Sequence, residues 1–191
     1  MKIDILEDKG NVFRFTLKES TNAYANALKR TATGSVATFA IDKVTFYENT
    51  SAIFDEYIAH RIGLVPLVTP SKGYKPEDEI LFTMEETGPK TVYSKELNSS
   101  DKEVKVANEG IPIIKLGEDQ QVRIEMKARL GTGLEHAKFQ PGLVAYEQKG
   151  DDAFEFYVES FGQMPPRQII NKAFDVIEER LQELSSKVKK L

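Results

Sequence analysis

The stretch PPRQIINKAFDVIEERLQELSSKVKKL, residues 165–191, carries the clearest pattern in the chain. Its two prolines suit the first turn of a helix. The apolar residues that follow are spaced alternately four and three apart, as an unbroken heptad seam: Ile170, Phe174, Ile177, Leu181, Leu184, Val188 and Leu191. The spacing predicts a helix from 166 to 190, about 37 Å long at ~1.5 Å per residue.

Two interpretations of this long helix are open. It can lie along a sheet of its own chain, which we expect for its first half. Its far half can instead pack on another chain, because an uncovered seam of Leu181, Leu184, Val188 and Leu191 would be an exposed apolar patch. We favour a partner for the far half, since a helix of this length exceeds what a domain of this size easily covers.

The preceding sequence alternates strand and helix signals. Apolar residues at 3, 5, 13, 15 and 17 flank Gly10-Asn11, which predicts a hairpin with one buried face. Ser20 and Thr21 offer N-caps for a helix, TNAYANALKRTAT, that ends at Gly34. Further strands are predicted around 36–48, 80–84, 104–107, 111–116, 122–130 and 154–159, and the region from 69 to 120 is otherwise polar and loop-rich.

Composition describes a soluble globular protein, with 40% hydrophobic and 29% charged residues in 191. A net charge of −4 leaves no basic patch dense enough to bind nucleic acid independently. The chain has no cysteine and only two histidines, so disulfides and thiolate metal sites are excluded and no metal or cofactor is expected. A polar start and the lack of any apolar run near ~20 residues predict a cytoplasmic protein without a membrane span.

The histidines raise the question of catalysis. His60-Arg61, within IAHRIGLVPL at 58–67, could pair a general base with an anion-binding arginine, and Glu135 could orient His136. Neither pair has a further group at a motif spacing, and no phosphate-loop, G-x-S-x-G or H-E-x-x-H motif is present. Gly131-Thr132-Gly133 predicts a turn or β-bulge. We therefore predict no catalytic residue; a free-standing enzyme would require turnover that is lost on His60→Ala.

Several segments together resemble one family from end to end. They are NALKR at 26–30, AIDKVTFYENTS at 40–51, FDEYIAHRIGLVPL at 54–67, GTGLEHAKFQPGLV at 131–144 and the closing VESFGQMPPRQIINKAFDVIEERLQEL at 158–184. The family comprises the D subunits of archaeal DNA-directed RNA polymerases, the eukaryotic third-largest polymerase subunits and the N-terminal domain of bacterial polymerase alpha. HRIGL-x-P-L and HAKF-x-P, in this order, are the specific motifs, whereas NALKR alone is weak.

The resemblance implies an α+β fold. An alpha-subunit-like dimerisation domain, an antiparallel sheet with a short and a long helix, would span residues 1–42 and 153–191. An inserted β-rich domain would span 43–152. It also implies a non-catalytic subunit of a nucleotidyltransferase complex, which forms a heterodimer with the small subunit L and an assembly platform for transcription. The second-largest catalytic subunit and the small subunits N and P would join this pair, and DNA would be met only through the complex.

The resemblance also assigns contacts. Subunit L would bind the apolar positions of the two helices: Tyr24, Ala27, Leu28, Ile170, Phe174, Ile177, Leu181, Leu184 and Val188. Large or small subunits would meet Lys29, Arg30, Arg61, His136, Lys138 and Phe139. For Arg61 an intramolecular salt bridge is an equal alternative. On this interpretation His60 lies on a helix that leads into a turn shaped by Gly63 and Pro66, with Leu64 and Leu67 anchored in the core.

Two departures from the family stand out. Many relatives carry a cysteine-rich segment after the HAKF region that holds an iron–sulfur cluster or zinc, whereas this chain passes from Pro141 to FEFYV without a cysteine, so no such domain is expected. Lys29 stands where relatives commonly have arginine, so we rank Arg30 above it. The remaining alternative is a homodimeric, bacterial-alpha-like assembly subunit. That form usually carries a DNA-binding domain beyond the long helix, which the end at Leu191 does not favour.

Overall fold

A computed structural model describes residues 1–190 as an α+β protein with antiparallel sheets. Leu191, the last position of the predicted seam, lies outside the described residues. The strands are β1 (Lys2–Lys9), β2 (Val12–Lys18), β3 (Ala37–Asn49), β4 (Glu79–Thr87), β5 (Lys90–Tyr93), β6 (Asn98–Ser99), β7 (Pro112–Leu116), β8 (Gln121–Thr132), β9 (Gly142–Gln148) and β10 (Phe154–Ser160). The α-helices are α1 (Asn22–Gly34), α2 (Asp55–Gly63) and α3 (Pro166–Val188), and short 3₁₀ turns cover Ser94–Glu96 and Ala137–Phe139.

The chain folds into two compact units, Met1–Ala37 with Thr132–Leu191 and Thr38–Gly131. The expected boundaries at 42/43 and 152/153 therefore move to 37/38 and 131/132. The larger shift has a clear cause: residues 142–148, which gave no strand prediction, form β9 and pair antiparallel with β10, from Gly142 opposite Ser160 to Gln148 opposite Phe154. This hairpin draws the whole segment after 131 into the first unit.

The first unit is a four-stranded antiparallel sheet, in the order β1-β2-β10-β9, with α1 and α3 on one face. Alternation in β2 and β10 buries Phe13, Phe15 and Leu17 beside Phe154, Phe156 and Val158. Phe15 lies opposite Phe156, and their rings stack with centroids 4.9 Å apart. The buried positions of the helices, including Ala25, Leu28, Ile169 and Ala173, pack onto this aromatic face.

The opening hairpin differs from its prediction on one strand. Ile3 and Ile5 face the same side of the sheet as Leu17 and Phe15, their partners across β2, yet they are 48% and 51% exposed. The helices pack mainly over β2, β9 and β10, so little covers the apolar side chains of the edge strand. Only the β2 half of the hairpin has a buried face.

The second unit has a four-stranded sheet, in the order β3-β8-β4-β6, and a two-stranded sheet of β5 and β7. Alternating apolar residues of β4 and β8 enter its core, for example Phe82 opposite Met126. The predicted strand at 104–107 is wrong: Val106 makes only an isolated bridge with Leu67. α2 contributes Ile58 and Ile62 to the core, and Leu67 is fully buried as predicted, whereas Leu64 is 49% exposed and does not anchor the turn.

Candidate partner-binding surfaces

The apolar side of α3 changes character along the helix. Ile169, Ile170 and Ala173 are at most 2% exposed, and Phe174 and Ile177 are partly buried against the same core. Leu181, Leu184 and Val188, which continue the seam, are 60%, 59% and 59% exposed. The second half of the helix thus has three large apolar residues uncovered, Leu181, Leu184 and Val188, which we call the α3 stripe.

A groove connects the α3 stripe to α1. Tyr24 of α1 lies with Phe174, Ile177 and Leu181 around a hollow of about 490 Å³, and Glu178, Gln182 and Ser185 complete the lining. Thr21 fixes the start of α1, because its side-chain oxygen accepts a hydrogen bond from the Tyr24 amide (3.3 Å). Arg180 donates to the Ser35 hydroxyl at 3.0 Å, which ties α3 to the residue that follows α1. The groove is apolar along its floor and polar on one side.

Two of the residues expected to bind subunit L are not available for that role. Leu28 is 0% and Ile170 2% exposed, and both pack in the core of the first unit. Their spacing is correct for an apolar face, but the sheet of their own chain covers that part of it. Tyr24, Ala27, Phe174, Ile177 and the α3 stripe keep partly or fully exposed side chains.

Glycine brings NALKR and the HAKF segment together. A Cβ on Gly133 would lie 2.3 Å from the Thr33 carbonyl oxygen, so only glycine allows the turn to approach the last turn of α1 this closely. The Leu134 amide then donates to the Gly34 carbonyl at 2.9 Å. The expected turn or β-bulge at 131–133 differs in place, because Gly131 and Thr132 end β8 and the turn begins at Gly133. This turn is the point where two distant motifs meet. It also presents Leu134, 74% exposed, which sequence reasoning did not single out.

The candidate residues around this turn differ in exposure. Arg30 and His136 are exposed and Lys29 is partly exposed. His136 caps the following 3₁₀ turn, because its Nδ1 accepts from the Lys138 amide at 3.1 Å. Phe139 is 0% exposed, so it supports the turn from inside and is not a surface contact. The Lys138 ammonium lies 5.1 Å from the centroid of the Phe139 ring, within the range of a cation–π contact.

Arg61 has an internal role in the second unit. Its Nε donates to the Ile113 carbonyl at 2.8 Å, and a terminal nitrogen donates to the Pro112 carbonyl at 2.5 Å. The guanidinium therefore links α2 to β7 through the backbone, and among residues 1–190 it forms no salt bridge. Arg61 nevertheless remains exposed, so its contact with another subunit stays a prediction. His60 is exposed, and within residues 1–190 its ring has no hydrogen-bond partner that could orient it as a base.

Among residues 1–190 no group of three or more His, Cys, Asp or Glu side chains is placed to hold a metal ion. Over the same residues, no helix combines the length and the hydrophobicity needed to span a membrane. Exposed apolar features of the first unit include the α3 stripe with its groove and the turn that joins Leu134 to α1.

Residues 41–145 match the family model described as RNA polymerase Rpb3/RpoA insert domain. Because this match covers more than half of the chain, the chain belongs to the Rpb3/RpoA family of RNA polymerase subunits. Within it, the chain is similar to the DNA-directed RNA polymerase subunit Rpo3 of Methanocaldococcus jannaschii, at 43% identity over 171 residues that cover 90% of this chain and 87% of the relative.

Two further archaeal Rpo3 subunits are also similar to this chain, and both have residues that it lacks. That of Pyrococcus furiosus is 44% identical over 153 residues, which cover 77% of this chain but only 59% of that longer protein. That of Natronomonas pharaonis is 34% identical over 229 residues, 92% of each chain. An alignment of 229 positions exceeds the 191 residues of this chain, so that relative has internal residues without a counterpart here.

Proposed function

We propose that this chain is a non-catalytic subunit of an archaeal DNA-directed RNA polymerase. It pairs with the small subunit L and forms the platform on which the catalytic subunits assemble for transcription. In this proposal the first unit carries the alpha-subunit-like dimerisation domain, and the second unit, Thr38–Gly131, holds most of the insert, whose family model matches residues 41–145. Family membership supports this role. The single observation that carries it is the α3 stripe, which continues the apolar face of an amphipathic helix but is 59–60% exposed.

Burial of the α3 stripe against a partner would stabilise the resulting complex. Full burial of a leucine or valine side chain stabilises a complex by roughly 1.5–3 kcal/mol. Three such residues in a row, continuous with the groove at Tyr24, supply the apolar centre that a stable interface needs. A helix of subunit L laid along α3 would bury both.

The second-largest catalytic subunit and the small subunits N and P are the further partners of this proposal. Arg30, Lys29 and His136, with Lys138 beside them, remain the candidate polar contacts near the Leu134 turn. A net charge of −4 agrees with DNA being met only through the assembled complex. Nucleotidyl transfer would belong to that complex and not to this subunit alone.

The test is the mass of the chain in solution, alone and co-expressed with the cognate subunit L. We expect a stable 1:1 heterodimer, and a poorly soluble or aggregating chain in its absence. Leu181→Asp should abolish the heterodimer and leave the circular dichroism spectrum unchanged, because Leu181 is 60% exposed in the isolated chain. Leu81→Asp, 38% exposed on β4, is the control that should leave pairing intact.

A well-behaved monomer that ignores subunit L would contradict the proposal. A homodimer that depends on Leu181 would instead favour the bacterial-alpha-like alternative, for which the archaeal Rpo3 relatives give no support.

A further inference from the structure

The second unit exposes an aromatic protrusion at the start of α2. Phe54 is 79% exposed, the highest value among the exposed large hydrophobic residues. Tyr57, one turn further along α2, is 66% exposed, and Ile53 is 40% exposed. The three residues are consecutive or one helical turn apart and therefore form a single apolar surface.

Phe54 is not explained by the stability of the helix. It occupies the N-cap position of α2, where Ser, Thr, Asp or Asn would satisfy a free backbone amide, and its side chain makes no capping hydrogen bond. Its carbonyl still accepts from the amides of Tyr57 and Ile58 at 3.1 and 3.2 Å. The position thus carries a large exposed ring where a small polar residue would serve the helix better.

The loop that presents Phe54 is held by its own hydrogen bonds. The Asn49 amide nitrogen donates to the Ile53 carbonyl at 2.8 Å and to the Asp55 carboxylate at 2.7 Å. The Asn49 amide oxygen accepts from the Ser51 hydroxyl at 2.6 Å and from the Ser51 backbone amide at 3.1 Å. Both ends of the Asn49 side chain are therefore used to fix the path of residues 49–55.

A second set of bonds anchors the loop to the sheet. The Thr50 amide donates to the Gln121 carbonyl at 3.0 Å, and the Gln121 amide donates to the Thr50 hydroxyl at 2.8 Å. Phe54 consequently projects from a loop tied to β8 on one side and to α2 on the other. A loop that is ordered before binding loses less conformational entropy when its residues are buried in an interface.

The charged residues in the loop and first turn of α2 that carry the protrusion are acidic, and the nearest cation along α2, Arg61, donates its guanidinium to the carbonyls of Pro112 and Ile113. Every charged residue from 48 to 57 is acidic: Glu48, Asp55 and Glu56. Glu48 accepts a hydrogen bond from Gln121 and Asp55 one from Asn49. Within residues 1–190 no cation forms an ion pair with Glu56. A surface that meets this one is complementary when its rim is basic.

We propose that Ile53, Phe54 and Tyr57 are an anchor that inserts into an apolar pocket, rimmed by Lys or Arg, on another protein subunit of the polymerase. This inference rests on the proposed function, and it assigns to the second unit a contact separate from the α3 stripe. Aromatic residues that enter a desolvated pocket dominate the free energy of many interfaces.

The experiment measures how tightly the full chain, already paired with subunit L, joins the remaining polymerase subunits. Phe54→Ser and Tyr57→Ser are each expected to weaken joining about 30-fold or more, as for hot-spot aromatics. Serine is a preferred N-cap residue, so Phe54→Ser should not lower the melting temperature, and a loss of joining cannot be ascribed to unfolding. Tyr93→Ser, at a tyrosine 37% exposed on β5, is the matched control and should change joining less than about threefold.

Two further variants test the chemistry of the pocket. Glu56→Lys should weaken joining, and the effect should shrink at high salt, because it reverses the charge that faces a basic rim. Asn49→Ala should weaken joining by a smaller factor than Phe54→Ser, since it frees the loop without removing the ring. Unchanged or tighter joining by Glu56→Lys would overturn the basic rim.

The outcomes separate this inference from the proposed function. If Phe54→Ser pairs with subunit L but does not join the complex, the anchor is supported. If it pairs and joins like wild type, the anchor is overturned while the proposed function stands. If the wild-type chain pairs with no polymerase subunit, both fail. Self-association that Phe54→Ser removes would make a second copy the occupant and overturn the anchor as stated.

Discussion

The two halves of α3 share one sequence pattern but not one environment. Ile170 and Ala173, in the first half, are at most 2% exposed, whereas Leu181 and Leu184 in the second half are 60% and 59% exposed. Helix periodicity is the same in both halves. The difference lies in what is beneath: β2 and β10 present phenylalanines to the first half, and the second half extends past them.

A heptad seam identifies an apolar face of a helix but does not identify the surface that covers this face. In the first half the cover is the chain's own sheet, so the seam contributes to folding. In the second half the apolar residues contribute nothing comparable to folding, and on our proposal they contribute to assembly. Four experiments sharpen or break this distinction.

The largest expected contrast is in amide hydrogen exchange along α3. Amides of residues 169–173 should exchange only through global unfolding, and those of 181–188 through local opening, because a helix without packing is marginally stable. We expect protection to differ by about 10³-fold or more. The measurement is residue-resolved exchange on the isolated chain.

Addition of subunit L provides the control for that gradient. Protection should rise in residues 181–188 and stay unchanged in 169–173. Equal protection of both halves in the isolated chain would mean that the second half is already covered, and the comparison would fail.

Truncation of the two halves should have unequal effects on folding. Ile170→Ala should lower the free energy of unfolding by about 2–5 kcal/mol, because it leaves a cavity beside the aromatic core. Leu184→Ala, at a residue 59% exposed, should change it by less than about 0.5 kcal/mol. Urea unfolding of the isolated variants measures both. Similar losses would show that the α3 stripe is packed in the isolated chain.

Arg61 and Arg30 should differ in the same way: one stabilises the fold, and the other contributes to assembly. Arg61→Ala removes the hydrogen bonds to the carbonyls of Pro112 and Ile113 and should cost the second unit about 1–2 kcal/mol. Arg30→Ala, at an exposed position of α1, should leave stability unchanged and weaken joining of the large subunits. Thermal unfolding and reconstitution measure the two effects. A stable Arg61→Ala chain that fails to join would restore Arg61 as a subunit contact.

Much of the fold was predictable because local signals are strong. Capping by Thr21, the end at Gly34 and the start of α3 at the prolines agree with the structure within a residue. The alternation of Val122, Ile124 and Met126 placed β8 correctly.

The missed features depend on tertiary context. β9 begins with Gly142, and its Val144 and Tyr146 lie opposite Val158 and Phe156 of β10. No local sequence pattern predicted this pairing. Arg61 and Phe139 lie in motifs for which we expected contacts with other subunits. In the structure the Arg61 guanidinium donates to two backbone carbonyls of its own chain, and Phe139 is fully buried. The α3 stripe, Leu134, Phe54 and Tyr57 are exposed apolar residues of the described chain, and exposure is a property that a sequence pattern does not contain.

The smallest expected effect concerns Lys172, a charged residue in the half of α3 that the sheet covers. Burial lowers the pKa of Lys172 below its ordinary 10.5, and Asp175 opposes this shift. Between the lowered pKa and the ordinary value the unfolded chain binds more protons than the folded one, so stability rises with pH through that interval. Lys172→Met should therefore stabilise the fold at pH 7 by no more than about 0.5 kcal/mol, and the gain should shrink as the pH approaches 10.5. Lys189→Met, beyond the last turn of the uncovered half, is the control and should leave urea unfolding at pH 7 unchanged. A gain that persists unchanged at high pH would show that apolar packing by methionine, rather than relief of a buried charge, stabilises the variant, and the first half of α3 would then differ from the second in packing alone.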